Sequence, residues 1–66
     1  MVVEMLLKGR AEQTIAAAFD DFDVSTTDRD TVVRGEVVDH AALYGVIGRV
    51  QDLGLLLLEL RTAEPG

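Results

Sequence analysis

The chain has 66 residues, with six Lys and Arg against twelve Asp and Glu, one His and no Cys. A chain this short holds one domain, expected over 1–66, that buries only about 60% of its unfolded surface and is marginal alone. Without cysteine, disulfides and cysteine zinc sites are excluded, which leaves oligomerisation as the supplement.

The formal charge of −6 and a pI near 4.4 have the wrong sign for phosphate backbones or anionic membranes, so neither nucleic acid nor membrane is an expected partner. The three aromatics, Phe19, Phe22 and Tyr44, make no base-stacking platform, since the two Phe sit at helical spacing. The opening "MVVEMLLKGR" is too short for a signal segment and is broken by Glu4. No apolar run approaches the ~20 residues of a membrane span, and a cytoplasmic protein is expected.

In chain order, "VVEMLLKG" (2–9) is strand-like, with Val3, Met5 and Leu7 on one face and Val2, Glu4, Leu6 and Lys8 on the other, and Gly9 closes it. "AEQTIAAAFDDF" (11–22) switches to helical spacing through Ile15, Phe19 and Phe22. Asp20, Asp21 and Asp23 oppose the helix macrodipole at its C-terminal end, so the helix should fray there.

"DVSTTDRDTVVRGEVV" (23–38) carries β-branched residues on both sides of "TDRD" and predicts a hairpin turning around Asp28, Arg29 and Asp30. In its second strand Val33, Gly35 and Val37 share one face, and Val32, Arg34, Glu36 and Val38 the other. Asp39 is an N-cap for "HAALYGVIGRVQDL" (40–53), in which Leu43, Val46, Ile47, Val50 and Leu53 form an apolar stripe and Gly54 supplies the left-handed stop. A strand over "LLLLELR" (55–61) ends the order.

Strand, helix, strand, strand, helix, strand predicts a ferredoxin-like α+β fold: a four-stranded antiparallel sheet with two helices on one face. Simple alternation then assigns Leu56, Leu58 and Leu60 to the core and turns Leu55 and Leu57 to the open face. With Val2, Leu6, Val32, Arg34, Glu59 and Arg61 they form an expected interface, apolar at its centre and mixed in charge, that suits a homodimer. A strand edge and the small-residue face Ala41, Gly45, Gly48 of the second helix are the rival surfaces.

Chemistry is sparse. A calcium loop starting at Asp21 fails, because Thr26 stands where the glycine is needed and Val32 where the bidentate acid belongs. His40 and Tyr44, one turn apart beside Asp39, lack a nucleophile or second base nearby. The Gly9 turn into the first helix, with Arg10, is the expected place for a small anion if the domain binds a ligand. No catalytic residue, metal or cofactor is expected. The leading reading is a non-enzymatic interaction and dimerisation module that also docks on a larger protein, and the alternative is a small-ligand-binding regulatory domain.

"TVVRGEVVDHAALYGVIGRVQDLGLLLLELR" (31–61) resembles short uncharacterised actinobacterial proteins with the pattern "V.D.AAL.G...R...LGL.L.E.R". The resemblance covers about half the chain and rests on structural positions: cap, helix stripe, glycine stop and closing strand. It implies the same fold and no catalytic residue. His40 and Tyr44 depart from the Gln and His of that pattern, which weakens any histidine chemistry.

Overall fold

A computed structural model describes residues 1–63, so the last three residues of the expected domain lie outside the described ones. The elements are β1 (Val2–Lys8), α1 (Glu12–Ala18), β2 (Asp23–Thr26), β3 (Asp30–Glu36), α2 (His40–Asp52) and β4 (Leu57–Ala63). All neighbouring strands are antiparallel and the sheet order is β2-β3-β1-β4, the ferredoxin-like arrangement.

One face of the sheet carries the core. Val3, Met5 and Leu7 of β1 and Val33 of β3 are completely buried against Ile15 and Phe19 from the α1 segment and Leu43, Val46 and Val50 of α2. Thr31, also buried, donates from Oγ1 to the Gly9 carbonyl at 2.8 Å, so its hydroxyl is satisfied.

The two helices differ in how firmly they end. In α2 the Asp39 carboxylate accepts from the Ala42 amide at 2.8 Å, as an N-cap does. Its other end is a Schellman motif: Gly54, at φ +72°, donates to the Gln51 carbonyl and Leu55 donates to that of Val50. Ile47 is only partly buried at the side of the stripe, and Leu53 is exposed.

By contrast α1 stops at Ala18, four residues before the predicted end, with no basic residue in its last turn. The three aspartates that follow are unfavourable at a helix C-terminus, and Phe22 reaches the core from outside the helix. The hairpin turn is closed by Thr27, whose Oγ1 accepts from the Asp30 amide at 3.0 Å.

The closing strand corrects the expected alternation. Leu60 pairs with Met5 and Glu59 with Leu6, but Leu7 pairs with Leu57, so β4 advances two residues where β1 advances one. This is a β-bulge, with Leu58 left without a partner. Leu57 therefore packs against the core together with Leu60, and Leu55 joins them through the Schellman turn. Leu55 and Leu57 are not on the open face. Leu56 and Leu58, expected inside, are 56% and 46% exposed.

Candidate interaction surface

The open face of the sheet is built in rows, because residues paired across antiparallel strands share a face. One row crosses all four strands: Asp23 opposes Arg34, Arg34 opposes Glu4, and Glu4 opposes Arg61. Its charges alternate in sign from edge to edge. The next row reads Ser25, Val32, Leu6, Glu59, with the two aliphatic residues in the middle. In the third, Asp30 opposes Lys8, and the Lys8 amide donates to the Leu56 carbonyl at 2.9 Å, which sets Leu56 beside Lys8 on this face.

Val2, Leu6 and Val32 are half-buried by their neighbours, and no element among the described residues covers them. Of the expected interface residues, Val2, Leu6, Val32, Arg34, Glu59 and Arg61 thus lie together on one face. Leu56 takes the place that Leu55 and Leu57 were expected to fill. Sequence reasoning missed Leu56 because the bulge lies between it and the charged end of β4.

Electrostatics on this face are local. Among the described residues the one ion pair is Arg61 with Glu59, Nε to Oε1 at 2.7 Å. That hydrogen bond, and then the charge of Glu59, raise the Arg61 pKa above its ordinary value, with Glu4 adding a smaller contribution. The guanidinium is fully exposed, and the pair contributes little to stability. Two shallow depressions of about 250 and 130 Å³ lie among these residues. Both are smaller than the roughly 300–1,000 Å³ of small-molecule sites.

The remaining candidates fare differently. At the Gly9 turn the amide that an anion would use already donates to Asp30 Oδ1 at 3.1 Å, and Arg10 donates to Thr26 Oγ1 at 3.3 Å. The Asp30 carboxylate occupies the position and carries the wrong charge for an anion site. Asp23 and Ser25 lie along β2 rather than on a loop that wraps a cation. Among the described residues no group of three or more His, Cys, Asp or Glu side chains is placed to hold a metal ion.

His40 and Tyr44 are exposed on α2. Among the described residues no neighbouring atom lies within 4 Å of where a β-carbon would stand at Gly45 or Gly48. A groove runs past Gly45 beside Phe22, Val38 and Arg49. Among the described residues no helix is long and apolar enough to cross a membrane.

The fold and this surface define a small ferredoxin-like α+β domain with one covered and one uncovered sheet face. Compared with known families, the chain belongs to the one described as a domain of unknown function (DUF8691), whose profile matches residues 2–61. No curated protein and no solved structure matches it.

Proposed function

We propose that the domain is a non-enzymatic interaction module that dimerises through the open face of its sheet, the dimer offering its helices to a larger protein. The observation that carries this reading is the ordered open face. Half-buried Val2, Leu6 and Val32 and exposed Leu56 lie uncovered beside a row, Asp23, Arg34, Glu4, Arg61, whose charges alternate in sign. Apolar residues grouped this way on a small domain mark a contact surface, and each leucine removed from water contributes about 1.5 to 3 kcal/mol. A twofold contact uses each residue twice.

The alternative, a small-ligand regulatory domain with its site at Gly9 and Arg10, has less support because Asp30 already engages that turn.

Light scattering on size-exclusion fractions tests the reading. The parent should run as a dimer, and Leu6→Lys combined with Leu56→Lys as a monomer that keeps its circular dichroism spectrum. Gly45→Gln combined with Gly48→Gln, on the rival helix face, should remain dimeric. A dimeric lysine variant beside a monomeric glutamine variant would move the interface to α2.

A further inference from the structure

The charged row on the open face has a symmetry property that fixes how two copies meet. Read across β2, β3, β1 and β4 it runs Asp23, Arg34, Glu4, Arg61, that is minus, plus, minus, plus. An alternating row with an even number of members becomes its own complement when reversed. We infer, resting on the dimer reading above, that the two sheets stack face to face about a twofold axis parallel to the strands and lying between β1 and β3, with Arg34 of each copy opposite Glu4 of the other.

That axis reverses strand order while keeping each row level with itself. In the charged row Asp23 then meets Arg61 of the second copy and Arg34 meets Glu4, so every contact joins opposite signs. In the next row Val32 meets Leu6 at the centre and Ser25 meets Glu59 at the rim, where a hydroxyl can donate to a carboxylate. In the third, Asp30 meets Lys8, and in the row on the far side of the charged one Glu36 meets Val2 at the end of the sheet. Val32 with Leu6 thus lies beside the axis together with the pairs of Arg34 with Glu4 and of Asp30 with Lys8, while Ser25 with Glu59 and Asp23 with Arg61 lie at the rim.

The competing twofold, perpendicular to the strands, does worse at three positions, of which the best, under the Val32 and Leu6 row, pairs Glu4 with Lys8 and Arg34 with Asp30 but sets Glu59 against Glu59 and Arg61 against Leu56. Placed under the charged row it sets Glu4 against Glu4 and Arg34 against Arg34. Placed between the first two rows it sets Glu4 against Leu6 and Arg34 against Val32, burying charge on aliphatic surface without a partner. The parallel axis also agrees with aligned sheet packing, in which mean strand directions stay within about 30° and the sheets lie about 10 Å apart. Sheet twist displaces the outer pair most, and Arg61 is already held by Glu59, so the central pair sets the geometry. Among the described residues neither Glu4 nor Arg34 closes an ion pair.

Complementary charge acts more on partner choice and register than on raw affinity, so reversing one member should weaken the dimer sharply. Glu4→Arg alone and Arg34→Glu alone each place like charges opposite at two symmetry-related points, and each should dimerise about a hundredfold less tightly or worse. Mixed together they restore attraction at both points and should form a one-to-one heterodimer, visible by native mass spectrometry because the chains differ in mass. The chain carrying both changes should dimerise by itself. It keeps opposite charges at positions 4 and 34 within the sheet, which protects its folding should a single variant fail to fold.

The outcomes separate. A parent that sediments as a monomer at every concentration defeats the dimer reading and this geometry with it. A dimeric parent whose single variants dimerise as well as it does, or whose doubly changed chain is monomeric, leaves the dimer standing and overturns the axis.

Discussion

Gly35 lies on the helix side of β3, and a β-carbon built there would stand 2.4 Å from Cδ2 of Phe22 and 2.7 Å from two more ring atoms. The ring is not free to retreat. It meets Phe19 edge to face at a centroid distance of 5.8 Å. Arg49 caps Phe19 in turn, its guanidinium 5.2 Å from the ring centroid while it donates to the Ala18 carbonyl at 3.1 Å. Gly35→Ala is therefore an overpacking change, expected to cost about 1 to 3 kcal/mol and to lower the melting temperature by at least about 4 °C. Thermal melts check this, and Phe22→Ala in the same chain should recover part of the loss, since the two sites share one contact. An unchanged melting temperature would mean that Phe22 does not lie over Gly35. The sequence shows both residues but not their meeting: Phe22 falls at helical spacing from Ile15, while the helix stops short of it.

The element with chemical marks at both ends was legible, whereas α1, which stops four residues before its predicted end, and the closing strand were not. In α2, Asp39 and Gly54 mark both ends chemically, and the structure ends the helix within a residue of the predicted limit. Four consecutive leucines carry no comparable mark. A strand of period two predicts faces only if every residue is paired, and an unpaired Leu58 reverses the parity of Leu55, Leu56 and Leu57 relative to Leu60. Glu59 and Arg61, beyond the bulge, keep their expected face. Because residues 55–58 are identical, removing any one of them gives the same chain, and that chain can pair β4 continuously with Leu57 and Leu60 still inside. The three-leucine variant should fold with a melting temperature within a few degrees of the parent. Nuclear Overhauser contacts between Met5 and its β4 partner check the register, and loss of a cooperative melt would show that the bulge is required.

For the whole molecule the sheet order followed from the alternation of periods, whereas the site did not, because rows exist only once register is known. No single strand contains the sequence Asp23, Arg34, Glu4, Arg61. The core occupies one face of a single four-stranded sheet, and a chain of 66 residues with no cysteine gains nothing from disulfides. Stability should then be shared with association: the melting temperature of the parent is expected to rise with protein concentration and that of the Leu6→Lys, Leu56→Lys variant to stay flat. Calorimetry over a hundredfold range of concentration checks both, and a flat parent would separate folding from dimerisation.

The outer strands carry a consequence of a different kind. One border of the sheet is β2, only four residues long beside the seven of β3, and the other is β4, broken by its bulge. Short or kinked borders give an incoming strand few consecutive amides and carbonyls to join, which is how natural sheets resist growing sideways into fibres. A chain that is 48% hydrophobic has reason to need that protection. With lateral addition discouraged, the proposed twofold contact would use up the open face once two copies meet, so that the proposed assembly closes at two chains instead of propagating.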